Sequence, residues 1–127
     1  MPEKHLFEYA VIRVMPRVER EEFINVGVIL FCPSQGFLQT AYELDARRLQ
    51  AFCPDLDLEE LQERLQAFAR ICAGKATGGT IGQLPLAGRF RWLTATRSTV
   101  VQTSKVHPGL CQDAAQTLDK LLAQLVH

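Results

Sequence analysis

The stretch YAVIRVMPRVEREEFINVGVILFC, residues 9–32, decides how this chain folds. Residues 9–15 are rich in β-branched side chains and end at Pro16, so they predict a first strand. Residues 24–32 predict a second, and the highly charged residues 17–22 between them predict a solvated connection. Successive side chains of a strand point to opposite faces. Ala10, Ile12 and Val14 therefore share one face of the first strand, and Tyr9, Val11, Arg13 and Met15 share the other. Both faces are largely apolar, which places this strand at the centre of a sheet with cover on each side. In the second strand Ile24, Val26, Val28 and Leu30 fall together, opposite Asn25, Gly27, Ile29 and Phe31.

Three residues interrupt this apolar pattern: Arg13, Asn25 and Gly27. Burying a polar group without a partner costs about 1–3 kcal/mol, so Arg13 and Asn25 must find partners. If odd positions pair with odd positions, the two share a face, and Gly27 leaves an open patch beside them. One reading makes this a ligand site. The other makes it a structural network, with Arg13 on a carboxylate such as Glu8, Glu43 or Asp45 and Asn25 on loop carbonyls.

Working outward, Pro33-Ser34-Gln35-Gly36 predicts a turn into a third strand over residues 37–44. Asp45 predicts the N-cap of a helix running to Phe52 and stopped before Pro54. Asp57 with Glu60 predicts a capped second helix, whose Leu58, Leu61, Leu65, Phe68 and Cys72 form one apolar stripe ending at Gly74. Residues 74–88 hold five glycines and Pro85 and predict a loop, with room for one helical turn at 81–84. Residues 89–94 and 98–103 predict two further strands joined at Ala95-Thr96-Arg97. After His107-Pro108-Gly109 a last helix follows over residues 113–126, with Leu118, Leu121, Leu122 and Leu125 on its apolar face. The order β-β-β-α-α-β-β-α predicts an α+β fold: one domain over residues 1–127, a mainly antiparallel sheet of about five strands, and three helices packed on it.

Composition narrows the class of protein. No apolar run approaches the ~20 residues of a membrane helix, and the N-terminus MPEKHLFEY does not read as a signal peptide, so a cytoplasmic protein is expected. The cysteines Cys32, Cys53, Cys72 and Cys111 are scattered without metal-ligand spacing and read as reduced, largely buried residues, with no metal and no cofactor implied. Formal net charge is zero, yet it is segregated. Residues 43–63 carry seven acids against Arg47 and Arg48, whereas residues 64–112 carry seven bases and no acid. Such asymmetry marks either a surface for an acidic or phosphorylated partner, or segments that neutralise each other on folding.

Several motifs invite chemistry. Gly74-Lys75-Ala76-Thr77-Gly78-Gly79 follows a helix, whereas a phosphate loop sits between a strand and a helix; it reads as a connector. His107 has no nucleophile and orienting group at a spacing that would make it a general base. The acids cluster in connections and helix starts, where first-turn carboxylates complement the helix dipole. Arg91 and Trp92, with Arg97, Ser98 and Thr99, form a second constellation able to hold phosphate or stack a base. The candidate ligand-binding residues are thus Arg13, Asn25, Gly27, Arg91, Trp92, Arg97, Ser98, Thr99 and His107, with no catalytic set.

The run at residues 9–33, together with RWLTATRSTVVQTSKVHPG at residues 91–109, resembles the bacterial family named Domain of Unknown Function 3037. The resemblance rests on Arg13, Pro16, Asn25, Val26 and Gly27, and on Trp92, Arg97, Ser98, Thr99 and His107. It implies a small cytosolic bacterial protein without assigned activity, often encoded beside a HipA-like kinase. The expected function is therefore a non-enzymatic interaction or accessory module with a protein partner, a HipA-like kinase being the one implied, in an antitoxin-like role. The alternative is a phosphate, nucleotide or nucleic-acid binding protein, and it requires Arg13, Asn25, Arg91, Arg97, Ser98 and His107 to converge on one patch.

Overall fold

The computed structural model describes residues 3–74, 78–95 and 100–126. Strands β1 (His5–Val14), β2 (Ile24–Cys32) and β3 (Phe37–Tyr42) form an antiparallel meander. The far edge of β1 is shared by two short strands: β5 (His107–Cys111) pairs with His5 to Tyr9, and β4 (Val101–Thr103) with Ile12 to Val14. The sheet order is β3-β2-β1-β4 with β5 also on β1, so β1 is central, as its two apolar faces require. Helices α1 (Ala46–Phe52), α2 (Leu58–Ala73), α3 (Leu86–Leu93) and α4 (Ala114–Leu125) complete an α+β fold.

Helices cover the sheet on both sides. One core joins Ala10, Ile12 and Val14 of β1 and Ile29 and Phe31 of β2 to Leu61, Leu65 and Phe68 of α2 and Phe90 and Leu93 of α3. The other joins Phe7, Val28, Leu30, Cys32 and Cys111 to Ala114 and Leu118 of α4. Two-sided burial explains why residues 26–32 show no polar position. Ile12, Ile29, Leu30, Leu49 and Leu65 have no exposed surface, and each such side chain contributes about 2 kcal/mol by leaving water.

The β1–β2 ladder contains an irregularity on which the faces depend. Pairing runs from Glu8↔Phe31 to Ile12↔Gly27, then resumes as Arg13↔Asn25 and Val14↔Ile24, leaving Val26 as an extra residue. The bulge reverses the alternation. Val26 packs in the α2/α3 core with Ile29 and Phe31, and Val28 and Leu30 lie in the α4 core. The expected grouping of Val26 with Val28 and Leu30 is therefore overturned. Gly27 is required here because a Cβ would stand 2.7 Å from the Ala41 carbonyl oxygen and 2.8 Å from the Tyr42 Cβ. No open patch lies beside Gly27; β3 fills it.

Aspartates cap the helices. Asp45, Asp57 and Asp113 accept from the backbone N–H of Arg48, Glu60 and Gln116, each at 3.2 Å. Glu60 pairs with Arg64 at 3.0 Å.

Two elements differ from expectation, and they exchange places in the strand count. Residues 89–94 were expected as a strand, but α3 spans Leu86–Leu93. Leu86, Ala87, Phe90 and Leu93 recur at helical spacing toward the core, and the alternation of Phe90 with Trp92 mimics a strand over too few residues to decide. Arg89 makes the helix useful: its Nη1 donates to the carbonyls of Ile71 (3.2 Å) and Cys72 (2.8 Å), capping the last turn of α2 with a cation. Conversely, His107-Pro108-Gly109 belongs to β5. Pro108 is tolerated on an edge strand, and Gly109 lies under the Phe7 ring, where a Cβ would sit 2.5 Å from Cζ. Of the predicted strand at 98–103, Val101–Thr103 forms β4, while Ser98 and Thr99 lie outside the described residues. The described residues thus form five strands and four α-helices, where three helices were expected.

Gly27→Ala should lower stability by about 1–3 kcal/mol, because the added methyl has backbone rather than a flexible side chain to displace. Urea unfolding of the variant beside the parent chain measures this. An unchanged midpoint would mean that β3 can yield at Ala41.

Candidate functional site

The bulge sets Arg13 directly across from Asn25. A regular ladder would have paired Arg13 with Val26, so the odd-with-odd pairing expected from the sequence exists only because of the extra residue. Both side chains lie on the α4 face, at the end of the sheet where β1 finishes and β2 begins.

Arg13 has no carboxylate partner among the described residues. Its guanidinium carbon lies 4.0 Å from the centroid of the Phe23 ring, and that ring is 41% exposed. Stacking of this kind contributes about 0.5–2 kcal/mol, more as the pair is desolvated. Nε is buried and makes no hydrogen bond. Burial lowers the Arg13 pKa from its ordinary value, and an arginine so lowered still carries its charge at neutral pH.

Asn25 is more fully engaged. Its Nδ2 donates to the Leu125 carbonyl at 3.1 Å, while Oδ1 is buried without a partner. Nearby, Arg48 Nη1 donates to the Val126 carbonyl at 3.2 Å. β2 and α1 thus hold the C-terminal turn of α4, whose carbonyls have no partners within the helix. The structural reading of Asn25 is met by a helix carbonyl rather than by a loop.

Three hollows gather at this end of the sheet. One of about 180 Å³ lies among Asn25, Glu43, Asp45, Arg48 and Val126. Another of about 210 Å³ opens between Arg17, Arg20 and Glu22 and the α1–α2 junction at Cys53, Pro54 and Asp55. A third, about 330 Å³, shares Arg17, Cys53 and Asp55 with it and reaches Asp57, Arg64 and Val100. Their charges are partly matched: Arg20 pairs with Glu22 at 2.6 Å and Arg64 with Glu60 at 3.0 Å, exposed pairs each contributing at most about 1 kcal/mol. Arg17 is exposed and makes no ion pair among the described residues.

The other candidates fall elsewhere. His107 faces Tyr9 across β1 and β5, ring centroids 5.4 Å apart, and is exposed. It shares the sheet face of Arg13 but lies about 13 Å away along β1, at four residues of ~3.3 Å each. Arg91 and Trp92 are exposed on α3, in the opposite layer. Arg97, Ser98 and Thr99 lie outside the described residues. Arg13 and Asn25 are therefore together, His107 is on their face at a distance, and Arg91 and Trp92 are on the other side. Sequence reasoning missed Phe23, Arg17 and Arg48. Phe23 could have been noticed as an aromatic two residues before Asn25, but nothing local marks Arg48.

All four cysteines are free, and Cys32, Cys72 and Cys111 are buried. Burial pushes the Cys72 thiol up, opposed by the Thr40 hydroxyl and by Arg89. Burial likewise raises Cys111, helped by Cys32 close by. Among the described residues no three His, Cys, Asp or Glu side chains gather as a metal-ligand set, and no helix is long and apolar enough to cross a membrane.

Residues 9–126 match the family model described as Protein of unknown function (DUF3037), while no curated protein and no solved structure matches the chain.

Limited alkylation of the native chain by iodoacetamide at mildly alkaline pH should modify one thiol rapidly, that of half-buried Cys53. Peptide mass spectrometry reads the site. Equally fast labelling of Cys72 or Cys111 would show that a helical layer opens on the labelling timescale.

Proposed function

We propose that this chain, which belongs to the DUF3037 family, is a non-catalytic binding module of the bacterial cytosol that engages a protein partner through an anionic group at the β1–β2 end of its sheet. One observation carries the reading: Arg13 is a half-buried cation with no acidic partner among the described residues, stacked on an exposed Phe23. A guanidinium so placed has lost part of its hydration and gained no counter-ion, so a carboxylate or phosphate meets it with a forked, charge-assisted hydrogen bond. The partner implied by the family resemblance is a HipA-like kinase, with this chain as its accessory.

A second reading takes the anion as a free phosphate or nucleotide, favoured by the hollows of about 180–330 Å³ beside Asn25 and Arg17. Two of them, at about 180 and 210 Å³, fall below the ~300 Å³ where small-molecule sites begin, and the third, at about 330 Å³, only just exceeds it. Titration calorimetry with inorganic phosphate and with ATP separates the two, since the first reading expects no saturable heat from either.

The test is capture from the native cytosol on the immobilised chain, followed by affinity measurement with the captured protein. Arg13→Gln should weaken binding about tenfold or more, roughly 1.4 kcal/mol, and Phe23→Ala severalfold. Arg91→Gln, in the opposite layer, should bind as the parent does. Parental affinity in Arg13→Gln would overturn the reading.

A further inference from the structure

We infer that the outer edge of β3 pairs with the same edge of a second copy of this chain, antiparallel about a two-fold axis at Thr40 and independently of any anion at Arg13. β3 ends the sheet order, and among the described residues no strand pairs with its outer side. One bond fixes where its backbone groups point. The Glu43 N–H donates to the Val26 carbonyl at 2.8 Å, one step beyond the pair Gly27↔Tyr42. In an antiparallel ladder, hydrogen-bonded pairs alternate with non-bonded ones. The bonded pairs are therefore Val28↔Ala41, Leu30↔Gln39 and Cys32↔Phe37. Leu38, Thr40 and Tyr42 aim their N–H and C=O groups away from β2, and among the described residues no backbone group meets them there.

A row of free backbone groups at strand spacing is matched by another extended strand, and sheet edges are commonly defended against one. The opposite border of this sheet is so defended: β4 and β5 are short, exposed Lys105 lies in the gap between them, and Pro108 removes a donor from β5. β3 has none of these devices. Residues 37–42, FLQTAY, hold no charge, no proline and no glycine, and their ladder to β2 runs without a bulge. The edge is also its own complement. A two-fold axis perpendicular to the sheet at Thr40 sets Thr40 against the partner's Thr40, and Leu38 against the partner's Tyr42. This is the register that engages all three outward residues of both copies, each pair exchanging two hydrogen bonds. It brings no like charges together: Gln39 falls beside the partner's Ala41, and the nearest charge, Glu43, beside the partner's Phe37. The same axis keeps each face of the sheet on its own side, so α2 stays with α2 and α4 with α4. Such self-matching is the requirement of an isologous interface.

Sedimentation velocity from low micromolar to submillimolar concentration tests this, with amide exchange read residue by residue at both ends of the range. The parent chain should reach twice its monomer mass as concentration rises. Over the same range the N–H groups of Leu38, Thr40 and Tyr42 should slow about tenfold or more in exchange, while those of Gln39 and Ala41, already bonded to β2, stay slow throughout. Thr40→Pro deletes a donor that the β2 ladder does not use and should hold the chain monomeric. Gln39→Lys, at an exposed position, should weaken the dimer severalfold with an unchanged thermal unfolding curve, and it decides the matter if Thr40→Pro fails to fold. Arg13→Gln should dimerise as the parent does, which separates this contact from the anion site. A parent chain that stays monomeric at the highest concentration would overturn the inference. So would a dimer in which Leu38, Thr40 and Tyr42 exchange as fast as in the monomer, and so would one indifferent to Gln39→Lys.

Discussion

One surplus residue in β2 organises this molecule. Because Val26 has no counterpart on β1, the strand turns over at Gly27, and its two halves serve the cores in opposite parity. Without the turnover, Asn25 would face the α2/α3 layer as an amide in an apolar core. With it, the amide meets the end of α4 and donates to Leu125. The same shift brings Arg13 opposite Asn25, so the cation and the amide share the rim of one face. Gly27 is the condition for all of this, since the bulge draws β3 so close that no side chain fits.

How legible this was depended on whether the deciding contact was local. β1 to β3, α1, α2 and α4 announce themselves through β-branched runs, turn chemistry, aspartate caps and leucine stripes, each complete within a few residues. α3 and β5 do not. Phe90 and Trp92 fit either period, and the choice falls to Arg89 reaching the end of α2 and Phe90 meeting Phe31 at 5.3 Å between ring centroids. His107-Pro108-Gly109 has the composition of a turn, and only the long-range partner β1, with the Phe7 ring over Gly109, makes it a strand. The site divides in the same way. Arg13 and Asn25 stand out because polar residues in an apolar strand demand partners, but that Arg13 finds an aromatic ring rather than a carboxylate is a tertiary fact.

The segregated charge resolves largely into helix ends. Asp45 and Asp57 are caps, Glu60 holds Arg64 within one turn, and Arg89 closes the carbonyls of α2. Acidic residues thus gather at helix starts, and a base from the next helix gathers at a helix finish, as the macrodipole favours. Arg13 stands apart from this arrangement.

The placement of β4 and β5 on β1 has a consequence for synthesis. The central strand is made long before the strands that close its second edge, which lie within residues 101–111. At roughly 5–20 residues per second, a ribosome takes about 4–18 s to reach them after completing β1. During that interval the meander β1–β2–β3 can form, but β1 is a growing sheet's open border, with one core still awaiting α4. An open border of this composition is a template for the wrong neighbour. The nascent chain is therefore most vulnerable between the synthesis of β1 and that of β4 and β5, and those two strands act as the seal.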